Sequence, residues 1–427
     1  MASVEEFGRG LTSPLGAPRG KTETYIEVPF LLGDKKVIPD GLVQASRGKR
    51  SWTALVEVKT GDNELQTQQL ENYLDVAKAN GFDALITISN QIAPATGVHP
   101  TRVDRRKLNK VALHHWSWSE VLTQAVLQQR FKGVSDPDQA WILGELIRYL
   151  EHPRSGALSF HDMGASWVAV REAVGSGTLR KNDKGVPEVT GRFDALMSFA
   201  CLRLGRSLGV EVKPELSRAE VKDPKLRTSN LVDHLVADGC LAGSIRVPDL
   251  IAPIYVRANL KSGQLMCSID VEAPTTGRSV TRVNWLLRQL KEASDGIRIE
   301  SFAARAREGA AELLGAVRED PTKLVPDAGK EIVRFRVARL SAVGSKRGLG
   351  RNSFIDSVTH GIDDFYEGVA QRLKAFVPPS PKYREPNVAE ATPKDVAAST
   401  AETSSGAEIS DMSTVAVAGR VPDAPST

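Results

Sequence analysis

Residues 25–73 read YIEVPFLLGDKKVIPDGLVQASRGKRSWTALVEVKTGDNELQTQQLENY, and the fold follows from them. Residues 25–32 are apolar and β-rich, Gly33-Asp34-Lys35-Lys36 has hairpin-turn chemistry, and 37–45 form a second strand. Ser46 to Arg50 make a basic turn, and 52–59 are a third, strongly apolar strand. Gly61-Asp62-Asn63 then interrupt the sheet. Over 64–80, Leu65, Leu70, Tyr73, Leu74 and Ala77 recur at helical spacing, closed by Gly81.

Outward from this stretch, 83–89 (DALITIS) alternate as a strand and 111–118 form another. Ser119 is placed as the N-cap of a helix that begins at Glu120. The order through about residue 130 is therefore β-β-β-α-β-β-α. A short helix is expected at 4–11 within an otherwise flexible N-terminal segment, 1–22. Helices at 138–151 and 166–175 form a connector over 131–180. Residues 181–376 read as an α+β domain. It has a helix near 190–208, a hairpin of 252–260 with 264–272, helices near 281–294 and 301–318, a strand at 331–340 and a helix at 353–376. From 377 the composition collapses to Pro, Ala, Ser, Thr and acids, too poor in large apolar groups to offset ordering entropy, so 377–427 are expected to be disordered.

Composition narrows the function classes. Cys201, Cys240 and Cys267 are far apart with no CxxC, which excludes a disulfide scaffold and a Cys-rich zinc site. No apolar run is long enough to span a membrane, and no secretory h-region opens the chain, so a cytoplasmic protein is expected. A net charge of +4 admits a nucleic-acid partner without demanding one.

Period-2 geometry puts Glu57 and Lys59 on one face of their strand, with Val56 and Val58 on the other. An antiparallel neighbour brings Asp40 alongside Glu57. Two adjacent carboxylates repel unless a cation lies between them, and hard oxygen ligands suit Mg²⁺ or Mn²⁺. An ammonium beside that cation can position the attacking water and offset charge on a phosphorane. Gln69 and Tyr73, four apart, share a helix face that can look back over the site and touch a substrate backbone.

Pro39-Asp40, Glu57-x-Lys59 and Gln69-x-x-x-Tyr73, in this order of elements, resemble the PD-(D/E)xK nuclease superfamily over residues ~20–130. The resemblance implies a restriction-endonuclease-like mixed β-sheet flanked by helices. It also implies metal ligation by Asp40 and Glu57, a catalytic Lys59, and substrate contacts from Gln69 and Tyr73. A further acid upstream, with Glu27, Glu5 or Glu6 as candidates, belongs to the same pattern. An E-x-K is commonly only a solvated strand face: Glu-Val-Lys also begins at Glu211 and Glu220, and Pro-Asp recurs at Asp138, Asp249, Asp327 and Asp423. Context separates Glu57, which ends an apolar strand, follows a Pro-Asp strand and precedes a helix bearing Gln and Tyr.

Other features have simpler readings. Gly16 to Thr22 falls one residue short of a phosphate loop and has no preceding strand, so it is read as an entry loop. The basic run from Arg102 to Lys110 suits DNA phosphates or plain solvation. Residues 281–291 read as an amphipathic helix with Arg282, Arg288 and Lys291 outward, and 345–351 as a flexible basic glycine loop. His114 and His115 point to opposite faces and have no second ligand at useful spacing.

The expectation is a two-domain α/β protein: a nuclease-like domain at 23–130, and 181–376 free for recognition or a protein partner. Its function is a metal-dependent phosphodiesterase acting on DNA, in defence, repair or mobile-element processing. A homodimer is expected on the ground that cutting two strands needs two sites. The alternatives are a catalytically silent nucleic-acid-binding or assembly module, and a stress-associated interaction protein.

Overall fold

The computed structural model describes residues 1–93, 98–157, 159–326 and 330–378. The tail expected at 377–427 therefore lies, from 379 on, outside the described residues.

The first sheet is built from the N-terminal elements. Helix α1 (Glu5–Thr12) is followed by β1 (Lys21–Ile26), β2 (Phe30–Leu32), β3 (Lys35–Val37), β4 (Gly41–Arg47) and β5 (Arg50–Val58). Then come α2 (Thr67–Ala79), β6 (Ala84–Ser89), β7 (Ala112–Ser117), α3 (Trp118–Val126) and α4 (Pro137–Glu151). The strand order is β1-β4-β5-β6-β7, with antiparallel pairs on the β1 side and parallel pairs from β5 to β7. Parallel strands need a crossover, which α2 supplies between β5 and β6. Both faces are covered. Val43, Ala54, Val56, Ile86 and Trp116 pack with Phe7 and Leu11 of α1, Val121 of α3 and Leu143 of α4. On the other face Leu55 and Leu85 meet Leu70, Tyr73 and Leu74 of α2.

The two expected N-terminal strands are each broken in two. Pro29 and Pro39 lack the N–H that a ladder needs, and Glu27 sits at φ 51°. Residues 25–32 thus divide into the end of β1 and β2, and 37–45 into the end of β3 and β4. Hairpin β2–β3 turns on Gly33-Asp34 alone, with Lys35 and Lys36 already in β3. The N-terminal segment is not a loose entry: Val4, Phe7 and Leu11 are buried, and the Glu5 N–H donates to Gln139 Oε1 at 2.8 Å. The N-cap of α3 is Ser117 rather than Ser119. Ser117 and Glu120 form a reciprocal capping box, which ends β7 one residue earlier than its apolar pattern suggests and starts α3 at Trp118.

The remaining elements are α5 (Trp167–Ser176), α6 (Gly185–Leu208), β8 (Lys213–Pro214), α7 (Arg218–Lys222), α8 (Pro224–Asp238), β9 (Cys240–Arg246), β10 (Ile254–Asn259) and β11 (Gln264–Glu272). They continue with α9 (Ser279–Gln289), β12 (Arg298–Ala303), β13 (Ala310–Leu313), α10 (Leu314–Glu319), β14 (Ile332–Ala342) and α11 (Phe354–Gly368). Seven strands form an antiparallel sheet, β13-β12-β14-β11-β10-β9-β8. Its inner face, with Leu241, Val256, Leu265, Ile269 and Phe335, shares one core with Phe193 and Leu196 of α6 and Phe354 and Ile362 of α11. Its other face is polar and rich in arginine, as an antiparallel sheet wetted on one side requires. The helix expected at 301–318 is instead the end of β12, then β13, with only α10 helical. Pairing with β14 and burial of Ser301, Phe302 and Ala303 outweigh the local helical pattern.

Candidate carboxylate site at the ends of the central strands

Register places the acids. Gly41 pairs with Val56 in the β4–β5 ladder, so Asp40, one residue before β4, falls opposite Glu57. Asp40 Oδ2 accepts the Val58 N–H at 2.7 Å, which fixes its carboxylate at the end of β5. Glu57 is only 1% exposed. Its Oε1 accepts from Lys59 Nζ at 2.5 Å and from Gln69 Nε2 at 2.8 Å. Its Oε2 is buried without a hydrogen-bond partner. Burial pushes the Glu57 carboxyl above its ordinary range, the Lys59 ammonium pulls it back, and the neighbouring Asp40 charge raises it again. An orphaned carboxylate oxygen in a buried site is costly unless a cation or proton meets it.

Lys59 is held by its backbone on two sides. Its N–H donates to Ile88 O at 2.8 Å, and its carbonyl accepts from Trp118 Nε1 at 2.9 Å. The ammonium is partly open, at 22% side-chain exposure. Gln69 and Tyr73 do share the face of α2 that meets the site. Gln69 Nε2 and Tyr73 OH are spent on the protein: Gln69 Nε2 also reaches Tyr73 OH at 3.1 Å, and Tyr73 OH donates to Ile38 O at 3.1 Å. Tyr73 is 5% exposed, so the substrate contact expected of it gives way to holding Glu57 and the Pro39-Asp40 segment.

Glu27 stands opposite Asp40 by continuation of the β1–β4 ladder, and its N–H donates to Asp40 O at 3.2 Å. Its left-handed backbone is uncommon for a residue with a Cβ, and the residue is exposed. Glu5 and Glu6 lie on α1, where Glu5 pairs with Arg9 and Glu6 accepts from the Ser135 N–H. Among the described residues no group of three or more His, Cys, Asp or Glu gathers to hold a metal. Mg²⁺ keeps most of its waters and needs only one or two carboxylates, so the Asp40–Glu57 pair with its orphaned oxygen still fits such an ion.

The other Glu-Val-Lys sites differ. Glu211 pairs with Lys213 on the surface, and Glu220 closes the capping box of α7. The basic run includes a short 3₁₀ turn from Arg105 to Asn109, where Lys107 pairs with Asp75 of α2 at 2.6 Å. Arg282, expected to point outward, is 4% exposed and bonds to Gly277 O, Ile332 O and Glu331.

One cluster is not visible from spacing. The ladders align Glu57 with Thr87 and Thr87 with His115. Residue 99 then arrives on a loop, its ring centroid 5.4 Å from that of His115. The His115 Nε2–H donates to Gln91 O at 2.7 Å, leaving Nδ1 to accept the Thr87 hydroxyl at 2.8 Å. His99 Nε2 lies 2.8 Å from the Thr87 hydroxyl, and its Nδ1 lies 2.9 Å from Thr101 O and 3.0 Å from Thr101 N. Burial pushes His115 down to about 4 and lowers His99 too. The one legible signal was Thr87, polar in the middle of an apolar strand. Set against known proteins, the chain matches no family model, no curated protein and no solved structure.

Proposed function

We propose that residues ~20–130 are a restriction-endonuclease-like core that hydrolyses phosphodiester bonds of DNA with Mg²⁺ or Mn²⁺. The observation that carries this reading is the buried, unpartnered Oε2 of Glu57, with Asp40 on the neighbouring strand and Lys59 bonded to the other oxygen. A purely structural Glu-Lys pair has no use for a second carboxylate and an orphaned oxygen in the same place.

Asp40 and Glu57 would hold the cation, which when bound polarises phosphate oxygens and makes water acidic enough to attack. The Val58 N–H fixes Asp40, and Gln69 fixes Glu57, so neither carboxylate has to reorient. The partly exposed Lys59 ammonium faces the same carboxylate and can turn to a phosphate oxygen as negative charge grows there. Glu57 must be ionised to bind a cation. Because its carboxyl titrates above its ordinary range, cleavage should rise with pH through that titration.

The test is cleavage of linear, circular and single-stranded DNA and of RNA, with Mg²⁺ or Mn²⁺, beside Lys59→Ala. Metal-dependent cutting of DNA that falls at least a hundredfold in the variant supports the proposal. No cutting on any substrate by the folded protein would overturn it, in favour of a binding or assembly module.

A further inference from the structure

Helix α4 buries Leu143, Ile147 and Leu150 and leaves its opposite side bare. On that side Trp141 is 65% exposed and Tyr149 60%. Large aromatic groups are seldom left so open, and two on one helix mark a contact surface. Among the described residues neither ring meets another aromatic ring. At 100° per residue, Asp138, Trp141, Glu145, Arg148, Tyr149 and the C-cap residue His152 form one stripe along the helix.

The occupant follows from the order of that stripe, which matches in kind four and seven positions to either side of Glu145, while Arg148, three positions after it, has the exposed Ile142 as its counterpart three before. An aromatic residue lies four positions to each side of Glu145, and a charged or titratable one seven positions to each side. We infer that α4 pairs antiparallel with α4 of a second copy of this chain, about a two-fold axis at Glu145. Trp141 then lies against Tyr149 of the second copy, and Asp138 against its His152. Each contact occurs twice, as an isologous interface requires. The His152 Nδ1 already accepts the Arg154 N–H at 3.1 Å, so Nε2 is the atom left for Asp138. At the axis two glutamates meet, but each pairs with Arg148 of its own helix, so the centre is neutral. A partner with a uniformly acidic or basic surface would meet both signs here and gain less. Nothing in this pairing depends on the chemistry of the carboxylate site.

One helix face covers less than the ~800 Å² per partner of a standard interface, so the dimer should be reversible and dependent on concentration. The experiment is sedimentation velocity of the full chain over a concentration series, with Trp141→Ala and Tyr149→Ala alongside. Association weakened about 30-fold in each variant, as for a central aromatic contact, supports the inference. A second measurement uses Glu145→Cys under oxidising conditions, with Val168→Cys, exposed on α5, as control. The native cysteines are buried, so an introduced thiol reports alone. Cross-linked dimer from Glu145→Cys and none from Val168→Cys places the axis at Glu145. A chain that stays monomeric at every concentration and fails to cross-link overturns the inference. So does a dimer indifferent to all three substitutions on α4.

Discussion

At the scale of single residues, Glu57 combines three properties that rarely coexist in a structural side chain: near-complete burial, a neighbouring carboxylate, and one oxygen without a partner. Such a group costs stability when it ionises with nothing to meet it. The sign follows from the direction of its shift. A carboxyl raised in the folded state adds its stability at low pH and loses it as pH rises through the folded value. Glu57→Gln should therefore leave the protein as stable as the parent in chelator at neutral pH, or more stable by up to about 1 kcal/mol. Mg²⁺ or Mn²⁺ should raise the melting temperature of the parent by mass action and leave that of Glu57→Gln unchanged. Thermal melts with and without metal check both outcomes. A metal response retained in the variant would remove Glu57 from the ligand set.

At the scale of elements, strands and helices here end on specific chemistry. Pro29 and Pro39 stop ladders, and Glu27 in the left-handed region turns β1 out of the sheet. Ser117 hands β7 directly to α3 by accepting the Glu120 N–H while Glu120 accepts from the Ser117 N–H. That box is buried and satisfies two donors at once, so Ser117→Ala should cost about 1–2 kcal/mol. Urea denaturation gives the value. A loss below a few tenths of a kcal/mol would mean water replaces the cap. Because α3 also carries Trp118, whose indole donates to the Lys59 carbonyl, the same substitution is expected to disturb the end of β5, where the carboxylates sit.

At the scale of the whole molecule, residues Met1–Val377 form one compact unit holding a mixed sheet and an antiparallel sheet, each with its own apolar core. The His99–Thr87–His115 contacts tie a long loop to the mixed sheet. His115 titrates near 4 when folded and near its ordinary 6.5 when unfolded. The unfolded chain therefore binds more protons in that window, and stability is full above it and falls as pH drops through it. The loss attributable to His115 should be about 2 to 3 kcal/mol. It is read as the difference between the parent and His115→Gln in urea titrations from neutral pH down to about 4. Parallel curves for the two proteins would show that His115 is not held neutral.

What the sequence determined by itself was local and periodic. Alternation in 52–59 and 83–89, the helical spacing over 64–80 and the Pro-Asp and Glu-x-Lys words located the central strands, α2 and the residues Asp40, Glu57, Lys59, Gln69 and Tyr73. These depend on neighbours a few positions apart, where propensity and spacing suffice. Tertiary structure decided the rest. That Glu57 is buried with an unpartnered oxygen, and that Gln69 and Tyr73 serve Glu57 and the chain around it, depends on how α2 packs across β5. The partnership of His99 with His115 depends on a loop between two parallel strands, and no spacing rule reaches across it. Within the helix expected at 301–318, residues 301–303 instead end β12 and 310–313 form β13, because pairing of β12 with β14 and burial of three residues outweighed an intrinsic preference of tenths of a kcal/mol per residue.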